Sequence, residues 1–361
     1  MATLTKTITE LEPIVNRLPE TERNLFNRFF RVDSTVGKLV VPESMRDWII
    51  KNFGAVERVA SQKITKVTNL LTLEGALFNE LRAGRPMECR GRDELRQVIA
   101  GSGGDPFCHP ESGTPADSFG RIRGQHGLTA GNVAKYDGYH GIVIFDNHNP
   151  LALERAAIAD YFATALEWGR RAYREDPQSK YFFFMWNCLW KSGASIVHGH
   201  AQMTLTRGMH YPKVEALRRT WAAYKRQYHG AGYFDALYQV HRNLGLAWEW
   251  EGVKGLAYLT PVKEKEVLLI ASEPGQPLYE AVGQVLEQYL HRLGVNSFNL
   301  ALYVPPLGDT GEDWDGFPAV VRLVDRGDPN NKTADVGAME LYAASVIASD
   351  PFRVAEVLRE G

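Results

Sequence analysis

The residues of this chain best suited to chemistry are two histidines and a glutamine spaced two apart, His198, His200 and Gln202. From His198 to Thr206, apolar or small side chains alternate loosely with polar ones, and this pattern predicts a β-strand. Because side chains two apart on a strand share a face, the two imidazoles and the amide are expected to project together. A Gly-Ala-Ser turn at 193–195 precedes them, and its backbone N–H groups can donate to an anion. The stretch therefore predicts a site that handles phosphate.

This set of side chains favours group transfer over hydrolysis. A neutral imidazole, with a reference pKa of about 6.5, is a nucleophile near neutral pH without a partner base. It can attack the α-phosphorus of a nucleotide and hold the nucleotidyl group covalently. The carboxamide of Gln202 can donate a hydrogen bond to a phosphoryl oxygen but cannot act as a general acid, so a readily departing sugar phosphate or polyphosphate suits the site. The competing interpretation, a pair of ordinary core or surface histidines, is disfavoured by Ser195 and Asn187 nearby.

Three upstream elements must place this stretch. The apolar run Tyr181–Trp186 predicts a buried strand that ends just before Asn187. Residues 151–174 have apolar side chains at helical spacing, and they predict a long helix that an Asp-Pro pair ends. The segment 138–145 predicts an earlier strand, so the expected order is strand, helix, strand, strand.

Length and composition indicate a globular chain with room for two modest domains or one large duplicated domain. It has 361 residues, of which 44% are hydrophobic and 23% charged, and a net charge of −2, which gives no broad basic surface for nucleic acid. No apolar run approaches membrane-spanning length, and the first residues lack the apolar core of a signal peptide. Three cysteines, Cys89, Cys108 and Cys188, form no even set for disulfides, so a cytoplasmic location is expected.

The motif resembles the H-x-H-x-Q branch of the histidine-triad superfamily, which includes galactose-1-phosphate uridylyltransferase, ADP-sugar phosphorylases and diadenosine tetraphosphate phosphorylases. The resemblance lies in Asn187, Gly193-Ala194-Ser195 and the His198–Gln202 run. It implies that His200 is the nucleophile, with Gln202 and Ser195 as its catalytic partners. It also implies that Asn187 and the backbone near Gly193 contact phosphate, and that His198 either binds zinc or orients its neighbour.

Two arginines extend the resemblance. Arg82 and Arg85 follow predicted strands at 67–73 and 75–81, and the family opens its fold with a strand pair ending in an R-A-x-R-P segment whose arginines reach phosphate. The likeness implies that both arginines contact phosphate through their guanidinium groups. The alternative is a solvated loop edge.

A metal site is the third element of the resemblance. The family has a C-P-x-C segment followed by T-P, and its cysteines bind zinc; this chain has Asp105 in place of the first cysteine, and Cys108 in place of the second. The implied ligand set is Asp105, Cys108, His140 and His198, which offers oxygen, sulfur and nitrogen atoms that zinc accepts. The alternative is a metal-free loop held by hydrogen bonds.

Two further polar residues are candidates by resemblance. Asn132 falls near the family's nucleotide-contacting Asn, and Glu340, in a segment like the family's V-G-x-E, is implied to contact sugar hydroxyls. The strand 138–145 resembles the family's G-x-H-E-V-V strand, with Gly141 in place of the usual Glu. An ordinary turn asparagine is the alternative for Asn132.

The expected fold class is α+β, a duplicated histidine-triad-like fold in which each half is a mostly antiparallel sheet with helices. The expected divisions are an accessory helical segment at 1–65, a first half with the catalytic motif at 66–212 and a second half at 213–361. The second half repeats the architecture of the first without an H-x-H pair.

The expected function is nucleotidyl transfer through a covalent nucleotidyl-histidine, most like a hexose-1-phosphate uridylyltransferase acting on a nucleotide sugar and a phosphate-bearing acceptor. The main alternative is an ADP-sugar or dinucleoside polyphosphate phosphorylase that uses inorganic phosphate, and a third is a non-catalytic nucleotide-binding module. A structural zinc ion and a homodimer are implied by the family, whereas neither nucleic acid nor membrane is an expected partner.

Overall fold

The computed structural model describes residues 6–79, 81–82, 92–331 and 336–360 of the chain. Within these ranges the fold is α+β with two mostly antiparallel sheets, which confirms the predicted class. The strands are β1 (Phe30–Lys38), β2 (Ser61–Asn69), β3 (Gly75–Phe78), β4 (Gly127–Gly131), β5 (Tyr139–Phe145), β6 (Ser179–Cys188), β7 (His200–Arg207), β8 (Ala247–Trp250), β9 (Val253–Ala257), β10 (Val267–Ala271), β11 (Phe298–Tyr303), β12 (Ala319–Asp325) and β13 (Ser345–Ile347). The α-helices are α1 (Leu11–Asn16), α2 (Glu20–Phe29), α3 (Arg46–Phe53), α4 (Val56–Ala60), α5 (Arg92–Gly101), α6 (Pro110–Gly113), α7 (Arg155–Glu175), α8 (Pro212–Gln227), α9 (Tyr233–Leu244), α10 (Gln276–His291), α11 (Ala338–Tyr342) and α12 (Pro351–Arg359). Over the described ranges, these helices are too short or too polar to cross a membrane.

Nine strands from both predicted halves form one continuous sheet, in the order β4-β5-β7-β6-β11-β12-β10-β9-β8. Strands β6 and β11 join the halves as an antiparallel pair, with Asn187 opposite Asn299 and Met185 opposite Ala301. The expectation of a separate sheet in each half is therefore corrected. Pairing β6 with β11 leaves neither half with an open strand edge at the centre of the molecule.

The two faces of the large sheet have different surroundings. On β6, Phe184 and Trp186 are fully buried, and the Phe184 ring lies 4.6 Å from the ring of Phe162 on α7. Burial of each such side chain contributes about 1.5–3 kcal/mol. The alternate residues Met185 and Asn187 are only half-buried, because they face the opposite side of the sheet. The face covered by α7 is thus core, and the half-buried Met185 and Asn187 lie on the opposite face.

The packing of α7 explains why Gly141 replaces the family's usual Glu. A Cβ atom at Gly141 would lie 2.6 Å from the indole of Trp168, which is completely buried. The indole Nε1 donates to Asp117 Oδ2 at 2.7 Å, so the ring cannot shift freely. Trp168 therefore occupies the space that a larger side chain on β5 would need.

The N-terminal segment is only partly helical, which corrects the prediction for residues 1–65. Helix α2 ends at Phe29, and Phe30 begins β1, whose nine residues pair with β2. Both rings are buried, with Phe29 against Tyr233 and Phe30 against His241. Neighbouring aromatic residues at 29 and 30 fit a helix face in sequence, but here they mark the change from helix to strand. The segment therefore builds the second sheet, in the order β1-β2-β3-β13.

A buried ion group fastens the small sheet to the large one. Arg322 of β12 donates to Glu266 Oε1 and to Glu74 Oε1, each at 2.6 Å, and Glu74 lies in the turn between β2 and β3. Tyr258 also donates to Glu74 at 2.8 Å, and it accepts from Asn69 at 3.0 Å. Removing one member would leave an uncompensated charge, so this group fixes the relative position of the two sheets.

His241 predicts a pH dependence of stability. Its ring is fully buried, with Nδ1 donating to the Leu237 carbonyl at 2.8 Å, and burial lowers its pKa to about 4. Between pH 6.5 and 4, this histidine is protonated in the unfolded chain, where its pKa is about 6.5, but stays neutral in the folded protein. The free energy of unfolding therefore falls as the pH drops through this range. The loss between pH 8 and pH 5 is about 2 kcal/mol from this residue. Urea unfolding of the wild type and of His241→Gln at both pH values checks this, and an equal pH effect in the two proteins would contradict it.

Candidate active site

His200 and Gln202 lie on β7 and point to the face of the large sheet opposite α7, where His200 is buried and Gln202 is half-buried. His200 is opposite Ile144 of β5, and Gln202 lies between Ile142 of β5 and Met185 of β6. Strand β7 begins at His200, so His198 precedes the strand instead of sharing its alternation. The shared face was therefore predicted correctly for His200 and Gln202 and incorrectly for His198.

The His200 ring has one nitrogen tied and one available. Its Nδ1 lies 2.8 Å from the carbonyl oxygen of His198, and because a carbonyl only accepts, Nδ1 bears the proton and Nε2 a lone pair. Among the described residues, Nε2 has no hydrogen-bond partner. Burial lowers the pKa of His200, so the ring is neutral at pH 7. Phe107 packs edge-on at 5.1 Å and restricts how the ring can turn.

Gln202 has the complementary arrangement, with its oxygen tied and its nitrogen available. Its Oε1 accepts from the Tyr136 hydroxyl at 3.0 Å and lies 2.9 Å from His140 Nε2. Asn132 stands beside them, with its Nδ2 atom 3.5 Å from the same oxygen. Within the described chain the Gln202 amide nitrogen has no partner, so it can donate to a phosphoryl oxygen.

Asn187 repeats this arrangement on the other side of His200. Two residues beyond the last β6–β7 pair, the register brings Asn187 level with His200. Its Oδ1 accepts from Asn299 Nδ2 at 2.6 Å, and Arg326 donates in turn to Asn299 Oδ1. The NH₂ group of Asn187 has no partner among the residues that the structure describes, so it can donate to a ligand. Asn299 was missed in the sequence, because only the pairing of β6 with β11 reveals that it faces Asn187.

The Gly-Ala-Ser turn has fewer available backbone N–H donors than the sequence predicts. Gly193 has φ of +97°, a left-handed conformation that suits glycine, and its N–H donates to the Trp190 carbonyl at 3.0 Å. The Ala194 N–H donates to Leu189 at 3.2 Å. Ser195 is exposed at the end of this turn, and neither its N–H nor its hydroxyl has a partner in the described ranges.

Four potential metal ligands meet beside His200: Asp105, Cys108, His148 and His198, whose ligand atoms all lie within 4.8 Å of one another. Three were predicted, and the fourth is His148 instead of His140, which corrects the ligand set. His140 faces the open side of β5, opposite Thr204, where its ring nitrogens meet Tyr136 and Gln202. The cluster forms past the end of β5, in the loop that contains His148.

The protonation of the two histidines fits a bound cation. His198 Nε2 donates to the Phe145 carbonyl at 2.8 Å, and His148 Nε2 to the Ile99 carbonyl at 3.2 Å. Their Nδ1 lone pairs therefore face each other at 3.0 Å, with the Cys108 sulfur 3.5 and 3.6 Å away. Asp105 Oδ2 is buried without a hydrogen-bond partner in the described structure. Tetrahedral bonds of 2.0–2.3 Å put ligand atoms about 3.3–3.8 Å apart, close to this spacing.

The remaining candidates are Arg82, Arg85 and Glu340. Arg85 lies outside the described residues, and Arg82 is exposed just after β3, in the small sheet. Glu340 on α11 lines an open cleft of about 680 Å³ that also contacts Asn187 and Asn299. Burial raises the pKa of Glu340, but hydrogen bonds from the Gly337 backbone and others outweigh it, so its pKa is lowered and it is a carboxylate at pH 7. The cleft follows the same sheet face from Asn187 toward β12.

Metal content tests the corrected ligand set. We expect the purified protein to hold about one transition-metal ion per chain, and His148→Ala to lose it, because three ligands seldom retain a structural ion. His140→Ala is the matched control and should keep the metal. Elemental analysis of both variants after dialysis checks this, and metal loss from the His140 variant alone would contradict the assignment.

Asn299→Asp tests the orientation of Asn187. The introduced carboxylate can only accept, so the Asn187 amide should turn its NH₂ toward it and present oxygen to the ligand side. We expect affinity for a nucleoside monophosphate to fall about tenfold, since a donor to a charged oxygen is lost. Calorimetry on the variant measures this, with Asn296→Asp as the control. Unchanged affinity would show that Asn187 does not donate to the ligand.

Comparison with known proteins gives structural but not sequence relatives. No protein-family model matches the chain, and no curated protein matches its sequence. An ADP-glucose phosphorylase from Arabidopsis thaliana with bound ADP-glucose is similar, with a TM-score of 0.61 and 15% identity over 81% of this chain and 98% of that one. A GalT-like protein from Arabidopsis thaliana has a TM-score of 0.57 and 16% identity, covering 72% and 92% of the two chains. A uridylyltransferase structure has a TM-score of 0.55 and 18% identity, covering 72% and 91%. These likenesses confirm the fold expected from the motif, which this chain shares with a uridylyltransferase, a GalT-like protein and an ADP-glucose phosphorylase.

Proposed function

We propose that this protein is a nucleotidyltransferase that works by double displacement through a covalent nucleotidyl group on His200. One observation supports this above all: His200 Nδ1 donates to a carbonyl, whereas within the described residues its Nε2 and the NH₂ groups of two neighbouring amides, Gln202 and Asn187, have no partner. A nucleophile surrounded by donors is suited to a phosphorus centre whose equatorial oxygens are negative.

The reaction balances without an external acid. His200 Nε2 attacks the α-phosphorus of the donor, the bond from that phosphorus to the bridging oxygen breaks, and the leaving phosphate keeps the electron pair. The Nδ1 proton stays in its hydrogen bond to the His198 carbonyl, which stabilises the positive charge of the substituted ring. A phosphate oxygen of the acceptor then attacks the same phosphorus, and the N–P bond breaks to restore the neutral imidazole.

The donors around His200 stabilise the charge on phosphorus. Gln202 and Asn187 supply amide N–H groups on two sides, and the exposed Ser195 supplies a hydroxyl or its backbone N–H. Arg82 and Arg85 are proposed to reach the phosphates of a second copy in a homodimer. Arg82 supports this, because it is exposed just after β3 and lines a cavity with Phe53 and Val59, without His200.

The apolar residues beside His200 are proposed to form a wall of the base site. Phe107, Ala130, Ile142 and Ile144 form a separate buried cluster there, with Phe107 against the His200 ring. Asn132, at the polar edge of this group, is proposed to contact the nucleotide. Apolar walls with one amide suit a nucleobase.

The cleft of about 680 Å³ is the proposed place for the sugar phosphate. It starts at Asn187, level with His200, and leads to Glu340, whose carboxylate can accept from sugar hydroxyls. The motif most resembles that of a hexose-1-phosphate uridylyltransferase, so this is the proposed activity. The alternative, a phosphorylase with inorganic phosphate as acceptor, is favoured by the likeness to an ADP-glucose phosphorylase over 98% of that protein's length.

Zinc is the proposed ion for the cluster of Asp105, Cys108, His148 and His198. Bound there, it would supply structural cross-linking of the loops, since four protein ligands leave no open position for substrate. Among this chain's own atoms, His198 would be fixed at both ring nitrogens. Its carbonyl oxygen would in turn be held for the His200 Nδ1 proton.

Intact-mass measurement tests the covalent step. The wild type is mixed with UDP-hexoses, ADP-glucose and dinucleoside polyphosphates, and a gain of one nucleoside monophosphate is expected with the true donor. His200→Ala should form no adduct, whereas His291→Ala, an exposed histidine on α10, should form it normally. An adduct on the His200 variant would show that the nucleophile is another residue.

The acceptor follows from discharging the isolated adduct. Hexose 1-phosphate should regenerate a nucleotide sugar if the protein is a uridylyltransferase, and inorganic phosphate should release a nucleoside diphosphate if it is a phosphorylase. Nucleotide binding without any adduct, across the whole donor panel, would indicate the non-catalytic module instead.

A further inference from the structure

We propose that His140 and Tyr136 are positioning residues for nucleotidyl transfer, because together they hold the Gln202 carboxamide with its NH₂ group toward the phosphorus that His200 attacks. The inference rests on the proposed function of His200 and Gln202. It gives His140, which the sequence suggested as a metal ligand, a different role.

The tautomer of His140 follows from its backbone neighbour. The Tyr136 N–H points at His140 Nδ1 at 3.2 Å, and an N–H group can only donate, so Nδ1 is the acceptor. In a neutral ring the proton is then on Nε2, which lies 2.9 Å from Gln202 Oε1. Burial lowers the pKa of His140, which keeps the ring neutral at pH 7.

The direction of the amide follows from the tautomer. Gln202 Oε1 accepts from His140 Nε2 and from the Tyr136 hydroxyl, which uses both of its lone pairs. The Asn132 Nδ2 atom lies 3.1 Å from His140 Nε2, but it cannot donate to that nitrogen, which is protonated. It lies 3.5 Å from Gln202 Oε1, to which it can donate. Asn132 is itself oriented, because its Oδ1 accepts from the Ala134 N–H at 2.9 Å. Three donors thus surround one oxygen.

The surrounding donors stabilise one of the two orientations of the Gln202 amide. The terminal torsion of glutamine is broad and roughly two-fold, so an unrestrained amide can present either NH₂ or oxygen to a ligand. The flipped state would place a partial negative charge against the phosphoryl oxygens. His140 is fully buried, whereas Tyr136 is 65% exposed with its ring 4.1 Å from the imidazole. His140 is therefore the rigidly held donor to Gln202, and the more exposed Tyr136 ring covers the imidazole.

Kinetic variants test the proposal through the rate of adduct formation. His140→Leu removes the donor and should slow the step about 30-fold with the donor KM unchanged, since the phosphoryl contact strengthens in the transition state. His140→Gln, which restores an N–H group near the Nε2 position, should recover most of the rate. Tyr136→Phe removes the hydroxyl that donates to Gln202 Oε1 and should slow the step about threefold. Equal rates in wild type, His140→Leu and Tyr136→Phe would overturn the proposal.

A double-mutant cycle separates positioning from general damage. In a Gln202→Ala background, His140→Leu should have no further effect on the rate, because the amide it positions is gone. The same fold-loss in both backgrounds would overturn the proposal, and thermal melting shows that the variants are folded. If His140→Leu does not fold, the same cycle is run with Tyr136→Phe, whose side chain is largely exposed.

A tautomer measurement decides the proposal independently of activity. Long-range ¹H–¹⁵N spectra should show His140 protonated on Nε2 in the wild type. A ring protonated on Nδ1 would accept from a flipped Gln202 amide and would overturn the proposal. If no donor gives an adduct with the wild type, the proposed function fails while the spectra still decide the orientation of Gln202.

Discussion

The hydrogen bond from His200 Nδ1 to the His198 carbonyl, 2.8 Å long, is the interaction on which the site depends. It places the proton on one nitrogen and so leaves the lone pair on the other, and it holds the ring against rotation. The carbonyl is held because His198 Nε2 donates to the Phe145 carbonyl, and an ion bound in the cluster would also hold Nδ1 of the same ring. His198 therefore connects the metal-type cluster to the proposed nucleophile, His200, which lies two residues further along the chain.

The large sheet supplies the rest of the site by register alone. His200 of β7, Asn187 of β6 and Asn299 of β11 follow one another across the strands, on the face opposite α7. In both amides next to His200, Gln202 and Asn187, the protein holds the oxygen, and the nitrogen has no partner in the described part of the chain. Asn299 belongs to the second half of the chain, so duplication of the fold contributes to the site even though the second half has no histidine pair of its own.

Much of this architecture could be predicted from the sequence. The apolar run before Asn187 and the helical spacing of 151–174 correspond to β6 and α7, because their side chains are sorted by a single buried face. The H-x-H-x-Q spacing indicated His200 and Gln202 on one face for the same reason. Local periodicity is informative wherever one element packs against one layer.

The errors occurred where the outcome depends on contacts between distant segments. His140 lies within β5 and His148 lies just after it. The sequence does not show where β5 ends, and that end decides which of the two histidines reaches Cys108. Asn299 has no chemical signature until β11 pairs with β6. The strand β1 was missed because Phe29 and Phe30 fit a helical face as well as they fit the junction between α2 and β1.

The most direct test of this account is to locate the nucleotidyl group on the protein itself. With ¹⁵N-labelled histidine, the trapped adduct should show phosphorus bonded to Nε2 of His200, in a phosphoramidate that is stable in base and labile in acid. Phosphorus on Nδ1, on another histidine or on a hydroxyl oxygen would contradict the account, because the His198 carbonyl leaves only Nε2 of His200 free to react.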